Sequence, residues 1–131
     1  MKKLLLTMAT VSVLSGCVSL TPEQLADLRS KTKFIDENNP PAEYVIALDS
    51  LKSTLKDPDS MQIKHAYSYY NVHFEESYCV NYNAKNSYGG YVGYKWAMLE
   101  KSGEVKSTNT HQRICGSSLK YAEINNQAGD L

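Results

Sequence analysis

The first regular pattern along the chain is a segment with helical spacing, residues 40–55. Its apolar side chains recur every three or four positions, so they form one stripe that faces a core. The stripe consists of Tyr44, Ala47, Leu48, Leu51 and Leu55. Asn39 is the expected N-cap, and the two prolines after it suit the first turn, where no backbone N–H bond is lost. Asp57-Pro58 ends the helix, because a residue before proline avoids helical backbone angles.

After Pro58 the spacing of apolar residues falls to two, which predicts strands with one buried face. The first strand places on that face Met61, Ile63, His65, Tyr67 and Tyr69. The second strand places Cys79 and Asn81 opposite Tyr78, Val80 and Tyr82. The third strand contains Val92, Tyr94, Trp96 and Met98, with Lys95 opposed. Val105 begins a short fourth strand.

These elements predict an α+β domain in which an N-terminal helix packs on a small antiparallel sheet of three to four strands. We expect a single domain over residues 40–131, with a further helix at 117–126. Residues 17–39 are expected to form a tether with a short helix, since Thr21 and Gln24 have capping-box spacing. The first helix covers one face of the sheet, and the other face is expected to carry polar residues and a disulfide.

The first 16 residues have the pattern of an export signal rather than of a folded element. Two lysines precede an apolar run, 4–14, that is too short to span a bilayer as a stable helix. The run ends at Leu14-Ser15-Gly16-Cys17, which resembles the lipobox of bacterial lipoproteins. The resemblance implies cleavage before Cys17 and attachment of lipid, palmitate included, to this residue. Val18 is not Asp, and by the same resemblance this favours the periplasmic face of the outer membrane.

The charge of the chain excludes one class of partner. The whole chain carries 14 basic and 14 acidic residues, and loss of the signal with its two lysines leaves 12 against 14. Such a chain has no excess of cations to neutralise phosphates, so we expect no nucleic-acid partner. The remaining 115 residues are enough for one modest core. They hold no second long apolar run, so attachment to the membrane depends on the lipid anchor.

Two cysteines remain once Cys17 is assigned to lipid, Cys79 and Cys115. An even count in a small exported domain predicts a disulfide between them, because the compartment outside the inner membrane is oxidising. The alternative is a metal site that uses Cys115 and His111, although it lacks the Cys-x-x-Cys spacing of zinc sites. We expect the disulfide, with no metal and no cofactor.

Neither the histidines nor the serines form a recognisable catalytic motif. His65, His73 and His111 lack the HExxH spacing, and no serine lies in a Gly-x-Ser-x-Gly turn. We therefore expect a protein that is not an enzyme.

Tyrosine is concentrated in one part of the chain, since eight of the ten tyrosines fall between Tyr67 and Tyr94. This concentration indicates either strand packing or an exposed binding surface, because tyrosine suits both. Tyr70, Tyr88 and Tyr91 are the expected exposed members, since each lies outside the apolar alternation or in a turn.

One stretch matches a more specific pattern. Leu55-Lys56-Asp57-Pro58-Asp59-Ser60 precedes the first strand, and Cys-Val-Asn-Tyr-Asn-Ala-Lys-Asn-Ser-Tyr-Gly-Gly-Tyr runs from Cys79 to Tyr91. The two segments resemble a family of small exported bacterial domains in which Leu-Lys-Asp-Pro-x-Ser ends a helix and Cys-Gly-x-x-Asn-Ala-Lys-Asn-x-x-Gly-Gly-Tyr follows. The resemblance implies a disulfide-bearing α+β fold and carries no established activity. Val80 stands where the family has glycine.

The turn within this motif is the candidate binding site. Its side chains combine amides, a cation and aromatic rings, and they are Asn83, Lys85, Asn86, Tyr88 and Tyr91. The same asparagines and glycines also suit a turn that only joins two strands. We expect a non-catalytic lipoprotein that binds an envelope protein or glycan. The alternative is an inhibitor of an envelope-targeting hydrolase, of the lysozyme-inhibitor type.

Overall fold

A computed structural model of the protein describes residues 19–129. The predicted signal peptide, 1–16, and the predicted lipidation site, Cys17, lie outside the described residues. The helices are α1 (Pro22–Lys31), α2 (Ala42–Ser53) and α3 (Asn109–Gly129). A short 3-10 turn covers Pro58–Ser60, and the strands are β1 (Lys33–Phe34), β2 (Gln62–Tyr70), β3 (Glu76–Asn83), β4 (Lys95–Glu100) and β5 (Val105–Lys106).

The five strands form one antiparallel sheet in the order β1-β2-β3-β4-β5. This confirms the α+β class and the antiparallel sheet. The expected count of three to four strands is wrong, because β1 adds an edge strand from the segment that the sequence assigned to the tether. β1 has only two residues, Lys33 and Phe34, and a strand of that length gives no periodic signal.

Helix α1 begins where the capping box predicts. Thr21 Oγ1 accepts a hydrogen bond from the Gln24 N–H at 3.2 Å, and the Gln24 side chain accepts one from the Thr21 N–H at 3.0 Å. The two side chains thereby satisfy two N–H groups that have no partner within the helix. Leu28 is buried, and it packs α1 against β2 and α3.

Helix α2 carries the expected buried stripe, but its start differs from the prediction. The residue before the helix is Pro41, which makes no side-chain cap bond, so the expected cap by Asn39 is wrong. The Asn39 N–H instead donates to the Asp36 carbonyl and closes a turn ahead of the helix. The stripe itself agrees with the sequence, since the fully buried residues are Tyr44, Ala47 and Leu51.

Helices cover both faces of the sheet. Helix α2 packs on one face, and its buried core consists of Tyr44, Ala47, Leu51, Tyr78, Val80, Tyr82, Ala97 and Leu99. Helix α3 packs on the other face, over a core of Tyr67, Cys79, Met98, Cys115 and Ala122. The expectation of a polar second face is therefore wrong. As the central strand of a three-layer domain, β3 is buried on both sides over residues 77–83.

Helix α3 is twice as long as the sequence suggested. The prediction began at 117 because Ser117 and Ser118 are good N-caps, whereas the helix covers 109–129. Ser117 lies inside the helix and donates its hydroxyl to the Arg113 carbonyl, one turn earlier. The hydroxyl is therefore satisfied without ending the helix.

A bulge in β2 changes which residues face each helix. Ile63 pairs with Tyr82 and His65 pairs with Asn81, so Lys64 is an extra residue on β2. Ile63 therefore lies on the α2 face, whereas His65 lies on the α3 face. The expected common face for these two residues is wrong, because alternation holds only where the ladder is regular.

Strand β4 begins later than predicted. Trp96 and Met98 lie in the strand on one face, as expected, and this face packs against α3. Val92 and Tyr94 precede the strand and are exposed, so they are not part of its buried face.

The predicted disulfide between Cys79 and Cys115 is confirmed. Their Cα atoms lie 5.5 Å apart, both residues are fully buried, and the bond links β3 to α3. The alternative metal site at Cys115 is excluded, since its sulfur is bonded to Cys79. Between residues 19 and 129, no group of three or more His, Cys, Asp or Glu side chains is placed to hold a metal ion. No helix in the same range is long and apolar enough to cross a membrane.

Candidate functional site

The candidate turn is a loop, residues 84–94, that joins β3 to β4 at one end of the sheet. It folds back on the 3-10 turn that precedes β2. The Lys85 N–H donates to Ser60 Oγ at 2.8 Å, and the Tyr91 hydroxyl donates to the Ser60 carbonyl at 3.0 Å. Lys85 and Tyr91 also form an isolated antiparallel bridge. The base of the loop is therefore fixed to the domain.

Asn86 holds the tip of the loop. Its Oδ1 accepts hydrogen bonds from the N–H groups of Tyr88, at 3.0 Å, and Gly90, at 3.2 Å. Its backbone N–H donates to the Gly90 carbonyl at 2.9 Å. Gly89 adopts a φ of 80°, which a residue with a Cβ rarely takes. The Asn86 side chain is thus committed to the backbone of the turn.

Asn83 has a structural role as well. It is buried at the end of β3, and its Oδ1 accepts a hydrogen bond from the Gly93 N–H at 3.0 Å. Gly93 has a φ of 101°, so the backbone turns sharply just before β4 begins. Of the five residues that the sequence nominated, Asn83 and Asn86 therefore shape the loop, and the others are available for contact.

The outward side of the loop is aromatic. Tyr88 is 96% exposed, which is nearly the accessibility of a free side chain. Tyr91, Val92 and Tyr94 are also exposed. Several exposed apolar side chains on one loop are typical of a recognition surface. Tyr70, which the sequence also expected to be exposed, is half-buried beneath the Lys31 ammonium.

Three lysines lie over tyrosine rings at this end of the molecule. The Lys85 ammonium lies 5.6 Å from the centre of the Tyr91 ring, and the Lys64 ammonium lies 5.6 Å from that of Tyr94. Lys95 lies 5.5 Å from the centre of the Tyr82 ring. We call this region the lysine–tyrosine surface, and it consists of the half-buried Lys85 and the exposed Lys64, Lys95, Tyr88, Tyr91 and Tyr94.

The charges at the two ends of the sheet differ. Between Glu76 and Glu100 the sequence holds no carboxylate, and this interval contains the whole loop. Among the described residues, ion pairs involve Lys31, Lys101 and Lys106, and none of them belongs to the loop. At the opposite end Lys101 lies within 3.0 Å of both Glu43 and Glu76, and these carboxylates raise its pKa.

Sequence reasoning missed Lys64, Lys95 and Tyr94 as members of this surface. Tyr94 was assigned to a buried strand face, and Lys64 was assigned to a regular strand. The available signal was the interleaving of lysine and tyrosine from Lys85 to Lys95 without any acidic residue.

A cavity of about 420 Å³ lies between α2, the chain after β1 and the bulged edge of β2. Its lining is mostly apolar and includes Ile35, Tyr44, Leu48 and Ile63. Burial, with a smaller effect of the Glu37 charge, raises the pKa of Tyr44 to about 12. These side chains continue the core beneath α2, so packing explains them without a ligand.

Two of the three histidines contact side chains that carry no charge. His65 is half-buried between two aromatic rings, with its ring centre 6.1 Å from that of Phe34 and 6.3 Å from that of Trp96. The His111 Nδ1 lies 2.7 Å from the Thr108 hydroxyl near the start of α3. Within residues 19–129, neither imidazole forms an ion pair with a carboxylate.

No family model, no curated protein and no solved structure matches this chain. The fold and the site define a disulfide-linked α+β domain, with helices on both faces of a sheet and an exposed lysine–tyrosine surface at one end. The function has to be inferred from that surface and from the N-terminal sequence.

Proposed function

We propose that this protein is a non-catalytic lipoprotein, anchored by lipid on Cys17 at the periplasmic face of the outer membrane, that binds another envelope component. The observation that supports binding is the 96% exposure of Tyr88 on a loop whose backbone is held by Asn86. Leaving a large aromatic ring in water is unfavourable, whereas a rigid ring contributes strongly to binding energy at interfaces. A rigid loop also loses little conformational entropy when a partner binds.

The position of the anchor supports the same proposal. Leu20 lines a small cavity together with Tyr69 and Tyr70, at the end of β2 that is remote from the loop. Leu20 is three positions after Cys17, and a stretch of that length spans at most about 11 Å, so a lipid on Cys17 would be attached near that end. The nine residues of β2 span roughly 27 Å between the two ends. With a lipid on Cys17, the lysine–tyrosine surface would lie at the end of the sheet away from the membrane.

Replacing the lipidated residue tests the anchor. Cys17→Ser is expected to leave the chain without lipid, because serine offers no thiol for acylation. In detergent phase partitioning the variant moves to the aqueous phase, whereas the unaltered protein stays with the detergent. Ser19→Ala is the control, since it lies two residues away and keeps the thiol. A Cys17→Ser variant that remains in the detergent phase contradicts the anchor.

Cross-linking in intact envelopes tests the binding surface. A photo-reactive phenylalanine derivative in place of Tyr88 is expected to give a defined adduct, and the same derivative in place of Phe74 is expected to give none. Phe74 is the matched control, because it is an exposed aromatic residue at the opposite end of the sheet.

Truncation of Tyr88 and Phe74 to alanine measures how much each residue contributes to binding. Tyr88→Ala is expected to lower capture of the cross-linked partner at least about fivefold, as expected of a central aromatic contact. It should leave the melting temperature unchanged, since the side chain is almost fully exposed. Equal losses of capture for Tyr88→Ala and Phe74→Ala would rule out the loop as the binding site.

A second candidate function is inhibition of an envelope-targeting hydrolase. The observation that favours it is the combination of a rigid loop with unpaired lysines, since the clefts of glycoside hydrolases carry paired carboxylates. An inhibitor of this kind would insert Tyr88 and Lys85 into such a cleft. Inhibition of a purified lysozyme by the protein, lost on Tyr88→Ala, would support this function in place of the first.

A further inference from the structure

The lysines of the lysine–tyrosine surface are positioned as cations without counter-charges. Lys64, Lys85 and Lys95 form no ion pair with a carboxylate of residues 19–129. Each ammonium lies 5.5–5.6 Å from the centre of a tyrosine ring, which restrains a side chain that is otherwise flexible. An ammonium held in this way keeps hydrogen-bond donors on its outer side. The entropy that a lysine loses on binding an anion is thereby reduced.

The three cations are spread over adjacent strands rather than gathered at one point. Lys64 lies near the start of β2, Lys85 follows the end of β3, and Lys95 begins β4. Neighbouring strands are about 4.8 Å apart, so the three lysines belong to adjacent strand ends across one end of the sheet. An elongated ligand with negative charge at repeated positions fits this spacing better than a single small anion.

The apolar part of the surface is made of rings. Tyr88, Tyr91 and Tyr94 are exposed, and hydrogen bonds fix two of them: the Tyr91 hydroxyl to the Ser60 carbonyl, and the Tyr94 hydroxyl to Gln62 Oε1 at 3.5 Å. Fixed aromatic rings with polar edges offer flat apolar faces and hydrogen-bonding groups together. Sugar rings present the matching combination of apolar C–H faces and hydroxyl edges.

We propose that the ligand of this surface is an anionic glycan, a sugar polymer that carries carboxylate or phosphate groups. The inference rests on the proposed function and names the class of envelope component that is bound. Lysines contact the charges, and the tyrosine rings pack on the sugars. Asp57 and Asp59 are neighbours in sequence of Ser60, which contacts the base of the loop.

Two other anionic partners, a membrane surface and nucleic acid, fit this surface less well. On the proposed anchor, the membrane would lie near Leu20 at the opposite end of β2, so its anionic headgroups would not meet these lysines. Nucleic acid is disfavoured because the chain as a whole has no excess of basic residues.

Binding of defined oligosaccharides to the full-length lipidated protein in detergent tests the proposal. Isothermal titration with an oligogalacturonate, which carries carboxylates, is expected to show binding, and a neutral galactan oligomer of the same length is expected to bind at least about tenfold more weakly. Titration with a phosphorylated mannan distinguishes phosphate from carboxylate as the charged group that the surface binds. Binding of the oligogalacturonate should also weaken as salt rises, because exposed charge pairs are screened.

Two triple variants, each of which removes three positive charges, identify the lysines that bind the glycan. Replacing Lys64, Lys85 and Lys95 with glutamine is expected to weaken oligogalacturonate binding about tenfold, whereas glutamine at Lys33, Lys52 and Lys120 changes it less than about twofold. Lys120 is a close match, since its ammonium also lies over a tyrosine ring, that of Tyr121, at 5.1 Å. Arginine at positions 64, 85 and 95 should retain binding, which separates loss of charge from loss of fold.

The outcomes separate this inference from the proposed function. Equal affinity for the neutral and the charged oligomers, with capture at Tyr88 intact, overturns the anionic glycan and leaves the proposed function standing. A cross-link from Tyr88 to a hydrolase, with no affinity for any of the three glycans, overturns the inference in favour of the inhibitor. Charge-dependent glycan binding that Tyr88→Ala does not alter supports the lysines as the glycan site and contradicts Tyr88 as the binding residue.

Discussion

Removing the disulfide by Cys79→Ala together with Cys115→Ala is expected to lower the free energy of unfolding by about 4 kcal/mol. The bond closes a loop over a sequence separation of 36 residues, and in the chain-entropy model its loss returns that much conformational freedom to the unfolded chain. The effect is large for a domain of this size, because small domains are stable by only about 5–15 kcal/mol.

Urea unfolding of the exported protein measures this loss. Cys17→Ser is the matched control, since it also removes a thiol but leaves the disulfide intact. The double variant is expected to unfold at a lower urea concentration and to lose the packing of α3, whose Cys115 and Ala122 contact the sheet. A midpoint that is unchanged relative to Cys17→Ser would show that packing alone holds α3 in place.

The disulfide was predictable because it depends on counting rather than on geometry. Once Cys17 is assigned elsewhere, only one pairing of the remaining cysteines exists. The stripe on α2 and the capping box of α1 were predictable for a related reason, since both are local patterns of a few residues. Thr21 and Gln24 satisfy each other within one turn, whatever the rest of the chain does.

The layer formed by α3 was not predictable from the same patterns. The side chains of β3 that face α3 include Ser77, Cys79 and Asn81, which are small or polar and are typical of a solvated face. They are buried because α3 covers them, and nothing local in β3 reports that contact. The bulge at Lys64 was not predictable either. One extra residue in β2 places Ile63 and His65 on opposite faces of the sheet, although apolar and polar residues still alternate in the sequence.

The sequence predicted the candidate loop, but it did not predict the role of each residue in that loop. Asparagine suits both a hydrogen-bonded turn and a ligand contact, and its type alone does not distinguish the two. The structure separates them: Asn86 binds the loop backbone, whereas Tyr88 has almost no contact with the domain. Lys64 and Lys95 joined the surface only through the sheet, which brings the start of β2 beside the start of β4 across β3.

Truncation of the core beneath α2 is the second large effect that we expect. Leu99 is fully buried, pairs with Tyr78 and Val105 across the sheet, and belongs to the core that α2 covers. Leu99→Ala removes three carbon atoms from a site that the surrounding strands hold open, so the free energy of unfolding should fall by about 3 kcal/mol. Urea unfolding with an unchanged m-value checks this loss.

Leu48→Ala is the control for that experiment, because it deletes the same atoms from the same core at a half-buried position. Leu48 lines the cavity beside β2, so its truncation enlarges a space that already exists instead of creating a void. The expected loss is therefore smaller than for Leu99→Ala, about 1 kcal/mol. If Leu48→Ala and Leu99→Ala lowered the free energy of unfolding equally, the result would contradict a cavity between α2 and β2. The lysine–tyrosine surface lies at the other end of β4 from Leu99, so glycan binding by the folded fraction of Leu99→Ala should be unchanged, which separates the stability of the domain from its recognition.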